Sequence, residues 1–99
     1  MTSLFGLLSE DLKKLQVWEK GKRIPGLDAN IWREDDEGNR IKFSDYGNRD
    51  SIYGWEKDHF PIPAALGGSN DISNLRPLRC KTNASLGGLL GGLISSKTR

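Results

Sequence analysis

The chain has 99 residues, enough for one domain with a modest core. Apolar residues make up 35% and charged residues 28%, an ordinary globular balance. The net charge is +2, and the single cysteine, Cys80, excludes both an internal disulfide framework and a paired CxxC zinc site.

A lone cysteine fits a reducing compartment. The opening stretch MTSLFGLLSEDLKK has an apolar patch with no basic residue before it, so it does not read as a secretory signal. No run approaches the about 18 apolar residues of a membrane span. The expectation is a soluble, cytoplasmic protein. Charge is unevenly spread: residues 19–58 hold eight Lys/Arg and ten Asp/Glu, whereas residues 59–99 hold five Lys/Arg and one acid, Asp71. A basic segment beside a carboxylate-containing one suits a site where a metal meets a polyanion, although such an imbalance also arises by chance.

In chain order, Leu4, Leu8, Leu12, Leu15 and Trp18 recur at helical spacing. Ser9 can cap, Glu10 and Asp11 suit a first turn, and Gly21 and Pro25 follow as stops. This predicts a helix over about residues 10–20, with 1–8 as a separate turn or arm. KRIPGLDAN reads as a loop. NIWREDDEGNRIKFSDYG reads as a hairpin, with Gly38 and Asn39 supplying positive φ at the turn. WEKDHF and NLRPL are strand candidates, and Pro77 confines the second to an edge or strand end. Trp18, Trp32 and Trp55 are candidates for the core, and Cys80 for a small buried apolar position. In CKTNASLGGLLGGLISS, helical spacing competes with four glycines that each cost about 1 kcal/mol in a helix interior. A helix packed on its Gly87/Gly91 face and a short helix with a flexible tail both remain open.

The chemistry concentrates in WEKDHFPIPAALGGSNDISNLRPL, which holds the only histidine. Neighbouring strand residues point to opposite faces, so Asp58 can meet a metal on one side while His59 faces a substrate on the other. A carboxylate is a hard ligand suited to Mg²⁺ or Mn²⁺. Imidazole is the natural proton acceptor at neutral pH. The AALGGSN loop lets the chain double back, and a following helix carries Asn83, whose amide oxygen is a second hard ligand. Glu56 shares the Asp58 face, where a salt bridge is expected. Taken alone, His59 reads as a surface histidine, Asn74 as a turn residue, Asn83 as a helix-start residue, and Arg76, Arg79 and Lys81 as a solvated face.

The pattern GWE-x-DH-x-x-P, then GGS-x-D-x-S-NL-x-PL, then an asparagine nine residues after Asn74, resembles the HNH endonuclease family. The resemblance implies an α+β fold: a ββα-metal core over residues 53–86, an N-terminal helix and β-hairpin extension over 9–46, and a Gly-rich tail over 87–99, all in one domain. It implies His59 as general base and Asp58 and Asn83 as ligands of one divalent ion, Mg²⁺ first and Mn²⁺ or another ion second. Asn74 would pin the loop and hold the backbone of His59. The implied reaction is hydrolysis of DNA, one strand per site, leaving a 5′-phosphate and a 3′-hydroxyl. Many relatives carry a structural zinc, which is not expected here. Many also carry a DNA-holding lysine where this chain has Leu86; Arg76, Arg79 and Lys81 are candidates to replace it on the nucleic acid. A non-catalytic nucleic-acid-binding or assembly module that keeps the same shape is the alternative, and an RNA nuclease a third reading. DNA is the expected partner; a second copy of the chain, meeting at Gly87/Gly91, and a phage or bacterial protein are further candidates.

Overall fold

The first helix, α1, spans Thr2–Trp18 in the computed structural model, which describes the backbone of residues 2–84 and side chains from Ser9 onward. The glycine-rich tail, the Gly87/Gly91 face and Leu86 lie outside the described residues. The helix differs from the sequence expectation at both ends. It continues back through the segment expected to be separate, so Ser9 sits within it and is not its cap, and it closes at Trp18. Gly6 alone is too weak a breaker, at about 1 kcal/mol, to stop a helix whose leucine spacing runs on across it. Among its described side chains, those of the last turn enter the core. Val17 and Trp18 are buried, whereas Leu12 and Leu15 stay on the surface.

The C-terminal end of α1 is capped by a side chain from elsewhere. The buried Arg33 guanidinium donates to the carbonyls of Glu19 at 3.0 Å and Gly21 at 3.1 Å. A cation there satisfies carbonyls without intrahelical partners and suits the negative end of the helix dipole. Lys20, just past the helix, donates to the carbonyl of Leu75 at 2.7 Å and also to that of Ile72.

Two strands, β1 (Trp32–Glu34) and β2 (Arg40–Lys42), form the expected antiparallel hairpin. At its turn Gly38 alone takes positive φ, at 84°, and Asn39 does not. Asp35 organises the turn instead: its carboxylate accepts from the backbone of Glu37 at 3.0 Å and of Asn39 at 2.8 Å. This is the local side-chain-to-backbone bonding that favours Asp in turns.

Strands β3 (Trp55–His59) and β4 (Leu75–Arg79) form a second antiparallel pair, with Asp58 opposite Arg76 and His59 opposite Leu75. Pro77 stands mid-strand, opposite Lys57. A two-stranded ladder tolerates it because each strand has only one neighbour to bond. Directly after β4 a second helix, α2, opens at Cys80 and is described over residues 80–84. The architecture is thus α+β, with two α-helices and two small antiparallel sheets among the described residues.

The core joins the two sheets to the end of α1. Val17, Trp18, Ile41, Trp55 and Leu75 form one buried cluster, with Phe43 and Ile72 packed against it. Trp18 meets Phe43 edge-on at 5.3 Å and Trp55 at 5.1 Å between ring centroids. Each indole finds an acceptor: Trp18 donates to Ala29 at 2.9 Å and Trp55 to Phe43 at 3.2 Å. Trp32 is only half-buried, packed edge-on against Tyr53 at 5.0 Å, so it belongs to the hairpin's flank. Cys80 is buried, and its N–H donates to the Gly54 carbonyl at 2.8 Å. No helix among the described residues is long and apolar enough to cross a membrane.

Candidate functional site

Two glycines create the approach of chain segments around β3. A Cβ on Gly54 would stand 1.8 Å from the Asn48 carbonyl oxygen. One on Gly68 would stand 1.8 Å from that of Ile62 and 2.8 Å from the Asn74 side-chain nitrogen. Both contacts are impossible, so these positions require a residue without a side chain. Gly67, beside Gly68, takes a left-handed conformation at φ 87°.

Asn74 closes the loop between β3 and β4. Its amide oxygen accepts from the Ile62 backbone at 3.0 Å, and its amide nitrogen donates to the carbonyls of Ile62 at 2.9 Å and Ser69 at 3.0 Å. Its own carbonyl accepts from Phe60 at 2.9 Å, the residue after His59. The side chain is buried with its polar atoms partnered, so the fold of this loop and the position of the end of β3 depend on one residue.

Strand alternation divides the titratable groups. Asp58 and Glu56 share one face with Arg76 and Leu78; His59 and Lys57 share the other with Leu75 and Pro77. On the first face, α2 brings Asn83 to β3, where its amide nitrogen donates to Glu56 at 2.7 Å. Glu56 also meets Arg49 at 3.3 Å, the salt bridge expected of it. Asp58 is paired with Arg76 at 2.9 Å. Asp58 and Asn83 thus each have a protein partner, and those partners, Arg76 and Glu56, lie on the same face as both. Glu56 and Asp58 thus share this face, and Asn83 reaches it at Glu56, to which it presents its amide nitrogen. Glu56 lies on the face where strand alternation places it, two residues from Asp58. No cluster of three or more His, Cys, Asp or Glu groups that would by itself hold a metal occurs among the described residues.

Of the three cations expected on nucleic acid, Arg76 is buried and held by carboxylates. Besides Asp58 it lies 3.5 Å from Glu37 and 3.8 Å from Asp36, with its guanidinium 4.1 Å from the Phe60 ring centroid. Arg79 is half-buried and donates to Thr82 at 2.9 Å, while Lys81 is exposed on α2. The three do not form one open basic surface.

His59 ends β3 with its ring half-buried, and its Nε2 lies 2.6 Å from Asn70 Oδ1. A neutral ring held by this amide oxygen would donate from Nε2 and leave Nδ1 as the acceptor. Asn70 had no sequence signal. It belongs to a turn whose return path is set only once β4 pairs with β3. The imidazole lines an open cleft of about 290 Å³ with Glu10, Lys13, Lys57, Asn70 and Leu75.

No family model matches the chain, and neither a curated protein nor a solved structure matches it.

Proposed function

We propose that this chain is a metal-dependent endonuclease of the HNH type that hydrolyses DNA phosphodiester bonds, one strand per site, leaving a 5′-phosphate and a 3′-hydroxyl. The observation that carries the reading is an order of parts around one histidine. Strand, locking asparagine, returning strand and helix follow one another, and the helix delivers Asn83 to the face of β3 that holds Glu56 and Asp58.

The donor set fits a hard divalent cation, because Asp58 and Asn83, with Glu56 beside them, offer oxygen atoms and no sulfur. For the ion to bind, Asp58 would have to turn from the Arg76 guanidinium, which it holds at 2.9 Å. When bound, the ion would offset charge on the scissile phosphate and on the departing 3′ oxygen. The residues of the chain supply the remainder. His59 accepts a water proton at Nδ1. Asn70 keeps the other ring nitrogen protonated and the ring oriented. Asn74, through the Phe60 N–H and the Ile62 backbone, fixes the strand end from which His59 projects.

The test is nicking of supercoiled plasmid in Mg²⁺ or Mn²⁺ by wild type and His59→Ala side by side. Wild type should nick, the variant should be slower by roughly 10²–10⁴-fold, and EDTA should stop cutting. Equal nicking by the variant refutes the assignment. The close Arg76–Asp58 pair favours a second reading, a nucleic-acid-binding module without catalysis, because it occupies a carboxylate the ion would need. Binding of DNA with no nicking by wild type selects that reading, and cutting confined to RNA selects a ribonuclease.

A further inference from the structure

We infer that the cleft between α1 and β3 is a phosphodiester-binding subsite in which Lys13 and Lys57 hold the nucleic-acid backbone beside His59. The inference rests on the nuclease reading and gives α1, which lies outside the hairpin-and-helix unit, a part in binding.

Lys57 and His59 are two residues apart on β3 and so project from one face. The facing wall comes from α1, with Glu10 and Lys13, and Leu75 lines the space between. Two ammonium groups and an imidazole thus converge on a space of about 290 Å³ that also holds one carboxylate. That carboxylate is weakly engaged. Glu10 lies 3.8 Å from Lys57 and its side chain is 77% exposed. With an exposed carboxylate at the edge of contact distance from a half-buried Lys57, the pair gives up Glu10 readily, so a phosphate can replace Glu10 on Lys57. Lys13 takes part in no salt bridge among the described residues.

The cleft does not stand alone. Lys13 also lines an adjoining open space of about 390 Å³ between α1 and the turn at Asp71 and Ile72, with Ser9 and Gln16. Lys13 thus borders both spaces on the α1 side of His59. On the opposite face the Arg76 guanidinium is engaged by Asp58, Glu37 and Asp36, so a phosphate there would depend on the bound ion. Lysine contacts to phosphate position a strand without reading its bases, so the subsite should be indifferent to sequence.

The test is binding of a fluorescently labelled DNA duplex in EDTA, where nothing is cut, at salt concentrations from about 50 to about 200 mM. Each lost lysine contact should flatten the dependence of log affinity on log salt by about one. K13Q/K57Q should therefore lower the slope by about two and weaken binding by about tenfold or more. Glu10→Gln, at an exposed position that carries no risk to folding, should tighten binding. The Hε1 proton of the only histidine gives a single NMR signal, which DNA should shift in wild type. A folded K13Q/K57Q with an unchanged slope overturns the subsite, as does Glu10→Gln with unchanged affinity. A wild-type protein that binds no DNA overturns the nuclease reading and the subsite together.

Discussion

At Asn74 the side chain does work that a turn residue bonding only its own backbone does not. Three hydrogen bonds to Ile62 and Ser69, at 2.9–3.0 Å from a 6% exposed side chain, replace the water that those backbone groups would otherwise need. Removing the side chain leaves buried donors and acceptors unsatisfied, at about 1–3 kcal/mol for each such group. Asn74→Ala should lower unfolding free energy by about 2–3 kcal/mol, measured by urea denaturation, and should broaden the amide signals of residues 60–70. Asn74→Asp separates the two halves of the amide. The new carboxylate still accepts from Ile62 but faces the Ile62 and Ser69 carbonyl oxygens. Its stability deficit should therefore shrink as pH falls through the ordinary carboxylate range and the acid regains a donor. A deficit that is constant with pH would show that the two donated bonds carry no weight. The asparagine could be singled out from its motif, but the identity of its partners could not, since Ile62 is twelve residues away.

Among the elements, the hairpin β1–β2 and the pair β3–β4 are separate sheets joined by a buried carboxylate. Asp35 is fully buried, accepts from Asn39 at the turn, and accepts from the Arg79 backbone at 2.9 Å. One aspartate therefore fixes the turn and ties it to the last residue of β4, from which α2 departs. Asp35→Ala should cost about 3 kcal/mol or more in denaturant unfolding, because several backbone N–H groups lose their acceptor at once. Hydrogen exchange at the amides of Glu37, Asn39 and Arg79 should speed up with it. Stability within about 0.5 kcal/mol of wild type would mean that water replaces the carboxylate without loss. The strands were legible from alternation and from flanking turn residues. The N-terminal limit of α1 was not, because a good capping residue at Ser9 is a local preference that continuing helix overrides.

Across the whole molecule, the buried aromatic cluster and the α2 entrance set a pH limit. Burial, followed by the charge of Glu56, raises the Cys80 thiol above its ordinary value of 9.0. Burial, followed by Glu10 and Glu56, likewise raises the Tyr46 phenol. A raised acid holds its proton more tightly when folded, so the unfolded chain loses protons first as pH rises. The stability these groups lend is complete below their unfolded pKa values and is lost through the folded ones. The melting temperature should fall from about pH 9 upward, and Cys80→Ala should flatten that fall while leaving the Tyr46 part. A melting temperature independent of pH between 9 and 11 would contradict the burial of Cys80 and the packing of the partly exposed Tyr46 against Trp55. The thiol should also resist alkylation in the folded protein, because the reactive form is the thiolate.

Sequence by itself determined what short-range chemistry determines. The strands around Asp58 and His59, the hairpin around Gly38, the helix ending before Gly21 and the buried state of Trp18, Trp55 and Cys80 all follow from alternation, turn preference and apolar character. Only the tertiary structure decided which groups meet. The Arg76–Asp58 pair, the Asn70 acceptor at His59, the Asn83–Glu56 bond and the Lys13–Lys57 cleft join residues between 11 and 44 positions apart in the chain. Such pairings depend on strand register and on where α1 and α2 cross the sheet. Local residue preferences do not encode those quantities, because the free energy that selects them comes from burying the shared core.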